Sequence, residues 1–318
     1  MQLEAEKFRV ELTGYAYRML GAAAEAEDAV QETLLRAWQH AGRFDPRRGS
    51  LRTWLYRIAT NVCLDMLRSA QRRARAVDLG PAAEAGAPFG EPLPAGAWVR
   101  PVPDERVLAG DDPAEHAVRR ESVRLAFIAS LQLLSPRQRA VLILRDVLGW
   151  HAGEVADLLD TSVPSVTSAL QRARATVRRA GPVAPLEPDA AELLERYCRA
   201  FERYDVAAMV SLLHEDATMS MPPFRWWLRG REQIAQVLLH GGESCRGARM
   251  VPVAASGTTA YWQERPTGPG GAYEPFALQV FETCGGLVTE ITTFLDEPPA
   301  RWHRAGPAHT GQDGGRAE

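Results

Sequence analysis

The sequence predicts a multi-domain chain, with two all-α helical domains followed by an α+β domain. Three observations carry this. Apolar residues recur at helical spacing through residues 1–75 and again through 114–180. Stretches rich in Pro, Gly and Ala, with no sustained period, separate the blocks at 76–113 and 181–187. From residue 188 to 296, helical stripes give way to strand-like runs separated by glycine turns. A length of 318 residues agrees with two or three domains.

The first domain opens with Phe8, Leu12, Tyr15, Ala16 and Met19 on one helical face, and Gly21 ends that helix. An acidic helix follows, with the segment Ala24-Glu25-Ala26-Glu27-Asp28-Ala29-Val30-Gln31-Glu32-Thr33-Leu34-Leu35-Arg36-Ala37-Trp38. Pro46 and Gly49 mark a loop. From Leu51, the positions Leu51, Leu55, Ile58, Val62 and Met66 form the apolar face of a long helix. Thr53, Arg57, Asn61 and Arg68 lie on the opposite face, available to a ligand.

Residues 76–113 read as a linker, yet it contains Trp98-Val99-Arg100-Pro101-Val102-Pro103-Asp104, and a tryptophan there implies docking. In the second domain, Ser135-Pro136 supplies a cap and first helical position. Gly153 to Arg174 has a helix-turn-helix pattern. Its last helix buries Val166, Leu170, Ala173 and Val177 and exposes Thr167, Ser168, Gln171, Arg172, Arg174, Arg178 and Arg179. The third domain has helical stripes at Leu193–Phe201, Val206–Leu213 and Gly230–Leu239. Strands are expected at Met250–Ala254, Thr258–Gln263, Phe276–Thr283 and Leu287–Phe294. The final residues, 297–318, have little apolar content and are expected to be disordered.

Charge is unevenly distributed. The net charge of −3 divides into +4 over residues 1–75, −6 over 76–118, +5 over 119–180 and −6 over 181–318. A polyanion is drawn to the first and third blocks. Arg43 to Arg75 alone holds nine arginines and two acids. Cys63, Cys198, Cys245 and Cys284 are far apart and form no metal-ligand pattern, so neither disulfides nor a metal site is expected. No apolar run reaches the ~18 residues of a membrane span, and no leader pattern opens the chain, so a cytoplasmic protein without membrane contact is expected.

The acidic segment, the run Trp54-Leu55-Tyr56-Arg57-Ile58-Ala59-Thr60-Asn61 and the helix-turn-helix, in that order and spacing, resemble an extracytoplasmic function (ECF) sigma factor of the sigma-70 family. The resemblance implies sigma region 2 over 1–75 and region 4 over 114–180. Partners would be core RNA polymerase and promoter DNA, as a −35 duplex and a melted −10 strand. By the resemblance, Asp28, Gln31, Glu32 and Arg36 contact polymerase, with Leu34, Leu35 and Trp38 facing inward. Arg47, Arg48, Ser50, Arg57, Asn61 and Arg68 would hold the −10 strand, the Pro46–Ser50 loop and Asn61 framing a flipped base. Trp54 and Tyr56 serve either the core or base stacking, with the core favoured. Ser165, Thr167, Ser168, Gln171, Arg172 and Arg174 match −35 reading positions. Arginine recognises guanine and glutamine adenine through paired hydrogen bonds, while Arg174, Arg178 and Arg179 suit phosphates. Thr167 departs from the basic residue common in the family.

The third domain resembles the SnoaL-like, NTF2-type cone, on Tyr197–Asp205, His214–Ala217, Trp226–Glu232 and Val288–Asp296. The resemblance implies a regulatory domain acting in cis, with His214, Trp226, Tyr261 and Glu290 as pocket residues. His214-Glu215-Asp216 reads more simply as a cap and turn. No catalytic set and no cofactor is expected, and an anti-sigma partner or small-molecule ligand is left open. Two other readings remain: a conventional helix-turn-helix regulator with a ligand-binding C-terminal domain, and an enzyme whose DNA-binding part autoregulates its gene.

Overall fold

The computed structural model describes residues 2–47, 49–68, 73–108, 113–180, 185, 187, 189–240, 245–267, 271–299 and 302. Helices α1 (Gln2–Glu6), α2 (Arg9–Leu20), α3 (Ala23–Gln39) and α4 (Leu51–Met66) build the first domain. Gly21 takes φ +81° as it closes α2, a left-handed cap that favours glycine. The face α4 buries is Leu55, Tyr56, Ala59, Thr60, Val62 and Cys63. Tyr56 is fully buried, while Trp54 is half-buried against Phe44, ring centroids 5.3 Å apart.

After α5 (Asp104–Val107) in the linker, α6 (Pro113–Glu121), α7 (Leu125–Leu131), α8 (Pro136–Leu142), α9 (Ala152–Leu158) and α10 (Val163–Arg179) form the second domain, a π turn at Ile143–Val147 extending α8. Ser135 caps α8 with Gln138 returning the bond, and Ser162 caps α10. Val166, Leu170 and Ala173 of α10 are buried; Val177 is half-buried.

In the third domain, α11 (Ala190–Glu202), α12 (Val206–Ser211) and α13 (Arg231–His240) pack on strands β1 (Leu213–Ser220), β2 (Trp227–Arg229), β3 (Arg249–Ala255), β4 (Thr258–Thr267), β5 (Ala272–Cys284) and β6 (Leu287–Phe294), in sheet order β2-β1-β6-β5-β4-β3. Among the described strands, β1 and β6 pair in parallel and the other neighbours antiparallel. The strand register sorts two faces. Met250, Tyr261, Phe281 and Ile291 meet Leu194, Tyr197 and Phe201 of α11 and Ile234 and Leu238 of α13 inside the cone. Trp262, Leu278, Val280 and Phe294 on the other face join the core of the helical domains. The sheet therefore buries both surfaces, one against its own helices and one against the rest of the chain.

Four findings differ from the sequence reading. First, β1 and β2 are strands that no regular alternation announces; β1 pairs irregularly with β6 between Leu213 and Thr218. Second, the linker is a docked strap. Trp98 is buried with Ala76, Ala97 and Trp227, the Leu93 amide bonds the Pro223 carbonyl at 2.8 Å, and Phe89 meets Trp226 edge-on, ring centroids 5.0 Å apart. Third, Trp302 in the expected disordered tail is buried edge-on to Trp262, its indole donating to Glu297 at 3.3 Å; residues 303–318 lie outside the described set. Fourth, the 181–187 connection contributes a specific contact, since the Glu187 carboxylate accepts from the amides of Gly285 (2.5 Å) and Gly286 (3.2 Å).

Buried and half-buried arginines join the three parts. Arg18 donates to the Ser122 hydroxyl at 2.7 and 3.0 Å and to the Gly14 carbonyl at 2.6 Å. Its burial pushes the guanidinium down to about 10. Arg139 donates to the Met19 carbonyl and to Gln132 at 2.7 Å. Arg124 pairs with Glu282, Arg75 with Glu290 at 3.2 Å, and Arg100 with Asp296 at 2.6 Å and Glu297 at 2.9 Å. The β3–β4 turn is held by the linker: the Ser256 amide bonds the Val102 carbonyl and the Gly257 amide bonds Asp104, both at 2.8 Å. Gly257, at φ +73°, lies so close to α6 that a Cβ would sit 2.0 Å from the Arg120 carbonyl oxygen.

Candidate nucleic-acid and polymerase interfaces

On α3 the packed face is Ala26, Ala29, Val30, Thr33 and Ala37. Asp28 and Gln31 are exposed and Glu32 and Arg36 half-exposed, so the four polar positions reach solvent together. Arg36 pairs with Glu32 at 2.6 Å and approaches Asp65 of α4 at 3.7 Å. The expectation that Leu34, Leu35 and Trp38 face inward is corrected. Leu34 is half-buried, while Leu35 is 47% and Trp38 63% exposed. The small residues of α3 let it pack closely on α2 and α4, which turns these larger side chains out. They border a largely apolar groove of about 290 Å³ with Leu51 and Trp54. Leu35 and Trp38, three apart and off the alanine stripe, are the signal that the sequence reading passed over.

On α4, Arg57 and Asn61 are exposed on one face, as their spacing predicted; Arg68, expected to continue that face, is exposed in the turn beyond the helix end at Met66. Ser50 caps α4, accepting from the Thr53 amide at 3.1 Å, which places the 44–50 loop at the helix start. The exposed Arg47 is in that loop, its amide bonded to Asp45 at 2.9 Å; Arg48 lies outside the described residues. Arg57 donates to the Asp157 carbonyl of α9 at 2.7 Å, a contact across domains.

The helix-turn-helix is α9 and α10, with Asp160 at φ +49° in the turn. Ser165, Thr167, Gln171, Arg172 and Arg174 are exposed and Ser168 half-exposed on α10. Arg172 bonds the Ser168 hydroxyl at 2.5 Å and Thr167 bonds the Val163 carbonyl at 3.0 Å. Arg174 is drawn aside into a two-point ion pair with Asp146, at 2.6 and 2.8 Å. That hydrogen-bonded carboxylate holds the Arg174 guanidinium above its usual range.

The four C-terminal positions do not converge. Trp226 and Tyr261 belong to the packed interior of the cone. Burial raises the Tyr261 phenol well above its ordinary range. Glu290 is on the other face of the sheet, bonded by Thr292 at 3.2 Å and by Arg75. The His214 ring accepts from the Asp216 amide at 3.1 Å, a local turn at the start of β1. The anticipated pocket is therefore replaced by core packing at two positions and by a strap contact at a third. Among the described residues, no His, Cys, Asp and Glu group has the arrangement of a metal site, and no described helix is long and apolar enough to cross a membrane.

A helix-turn-helix beside a second helical domain with an exposed polar face, both joined to an α+β cone, is the arrangement of a multi-domain transcription regulator. Family models match it in three places: Sigma-70 region 2 over residues 5–73, Sigma-70 region 4 over 124–177 and a SnoaL-like domain over 194–291. The chain belongs to the ECF RNA polymerase sigma factors. It is 42% identical over 308 residues to SigG of Mycobacterium tuberculosis, covering 92% of this chain and 80% of that protein. It is 32% identical over 246 residues to SigJ of the same species, covering 74% and 71%. The crystal structure of the M. tuberculosis extracytoplasmic function sigma factor SigJ shares the fold, with a TM-score of 0.62 at 22% identity over 94% of this chain and 97% of that one.

Proposed function

We propose that this ECF sigma factor docks on core RNA polymerase through the exposed α3 face, with Asp28, Gln31, Glu32 and Arg36 as polar contacts. Arg47, Arg48, Ser50, Arg57, Asn61 and Arg68 hold the melted −10 strand. Ser165, Thr167, Ser168, Gln171 and Arg172 read the −35 duplex, and Arg174 reaches a phosphate once released from Asp146. The polymerase carries out the chemistry. The observation that carries this reading is the exposure of two separate polar faces, on α4 and α10, in a chain with both sigma regions.

The third domain acts in cis as a fastening for the other two. Its carboxylates Glu282, Glu290, Asp296 and Glu297 pair with Arg124, Arg75 and Arg100 and leave the proposed DNA-reading side chains alone. This supports scaffolding rather than an acidic shield over the DNA surfaces. Run-off transcription from the protein's own upstream region, with core polymerase and either the full chain or residues 1–182, tests both parts. Initiation dependent on added protein is the expected result, and the difference between the two chains gives the direction of the cis effect. Duplex binding without transcription from any genomic promoter would sink the assignment.

A further inference from the structure

The exposed face of α10 begins with apolar surface. Val163 and Pro164, the first two residues of the helix, are both exposed, Val163 at 45%. The residues that pack α10 on its own domain are Val166, Leu170 and Ala173, so Val163 stands outside that core. The polar chemistry of a helix start is largely withdrawn here. Pro164 has no N–H, and the Ser165 amide is taken by the Ser162 hydroxyl at 3.3 Å. Two of the amides that such a start ordinarily offers a phosphate are therefore absent or spent. The Ser165 hydroxyl pairs with that of Ser162 at 2.9 Å. One turn on, Thr167 donates its hydroxyl to the Val163 carbonyl at 3.0 Å, which turns its donor back onto the helix. Val163, Thr167 and Gln171 follow at steps of four and lie on one side of α10, all exposed. Along that side the surface passes from aliphatic to amide.

A base pair shows donors and acceptors in the major groove and, on thymine, one methyl group. An aliphatic side chain set against a donor or acceptor strips its water and returns no hydrogen bond. Set against the methyl, it removes apolar surface from water on both partners. Resting on the sigma reading of α10, we propose that Val163 and Pro164 form a reader of the pyrimidine 5-methyl group in the −35 duplex. Val163 makes the contact, and Pro164 keeps the adjoining backbone free of a donor. Val163 precedes Thr167 by about 6 Å along the helix, at ~1.5 Å per residue, so the base pair it meets is roughly two steps from the one under Thr167. Thymine and 5-methylcytosine present the methyl at the same place on the groove edge.

The test removes the methyl and nothing else. The full chain, loaded on core RNA polymerase, selects duplexes from a pool randomised upstream of a fixed pre-melted bubble. The tightest duplex is resynthesised with uracil in place of each thymine in turn, and binding is measured. The expected result is an affinity loss of about four-fold at one position, that of one methyl group taken out of water. Val163→Ser is expected to abolish this loss and to keep the base preferences elsewhere in the site, and Val163→Ile, which restores an aliphatic surface, to retain it. Uracil tolerated at every position, or a loss of the same size in Val163→Ser, overturns the proposal with the sigma reading intact. Cytosine and 5-methylcytosine placed at the sensitive position separate the two sources of the methyl. A gain from 5-methylcytosine extends the reading to either pyrimidine, and a uracil loss without that gain assigns it to thymine. Enrichment of no duplex at all counts against the sigma reading and takes the methyl reader with it.

Discussion

The two helices with exposed polar faces, α4 and α10, carry similar sequence signals and stand in different surroundings. On α10 the polar face is open, and its cap and packed residues are all supplied by its own domain. On α4 the polar face begins under another domain, with Arg57 committed to α9 and Trp150 seated on Tyr56. The comparison teaches that a polar outer face can be read from periodicity while its accessibility is decided by contacts some hundred residues away.

Four changes break or sharpen this difference. Glu282→Ala leaves Arg124 buried without its carboxylate and is expected to destabilise the chain by about 3–5 kcal/mol, measured by denaturant unfolding. If stability stays within about 1 kcal/mol of the parent, the fastening described for the third domain is wrong. Arg172→Ala acts on the open helix. It is expected to lose about 1–3 kcal/mol of discrimination at one −35 position and to leave −10 preference unchanged, read in a promoter-variant assay. The same base preference in both proteins would remove Arg172 from the readers.

Asp104 addresses the strap that separates the two helical domains. Burial outweighs its bond from the Gly257 amide and pushes its pKa up to about 6 from 3.8. A carboxyl raised on folding binds its proton more tightly in the folded state, so stability falls as pH rises from about 4 to 6. Asp104→Asn is expected to flatten that slope, worth at most about 3 kcal/mol. Unfolding curves of parent and variant at pH 4 and 7 decide it: parallel pH dependence would contradict the assignment. The smallest effect is Asp146→Ala, which frees Arg174. The salt dependence of −35 duplex binding should steepen by about one unit of slope, and an unchanged slope would place Arg174 away from the phosphates.

The helical domains were legible because their packed positions repeat with the helical period and helix ends are marked by Gly21 and Ser135-Pro136. The sense of α3 was not, because apolar Leu35 and Trp38 obey the same period as a core residue while the true contact stripe is built of alanines. β1 escaped notice because His214, Glu215 and Asp216 interrupt alternation at an irregular pairing, and a three-residue β2 carries no period at all. For the linker only Trp98 signalled docking; its partner Trp227 lies over a hundred residues on. Glu290 looked like a pocket residue because strand membership alone does not say which face of a two-sided buried sheet a side chain takes. Arg57 and Asn61 were readable as exposed, while the contact that α9 makes with Arg57 depends on how two domains meet.

The β3–β4 turn has a consequence for how such proteins can be recombined. Ser256 and Gly257 bond the linker at Val102 and Asp104 and abut the Arg120 carbonyl. Two residues thus set the position of the cone against both the strap and region 4. A chimera that exchanges the cone between relatives would need to carry that turn together with both of its receptors as one heritable block. A crossover placed between them would yield three sound folds with no common joint, and any side chain larger than hydrogen at position 257 would act as a wedge in it.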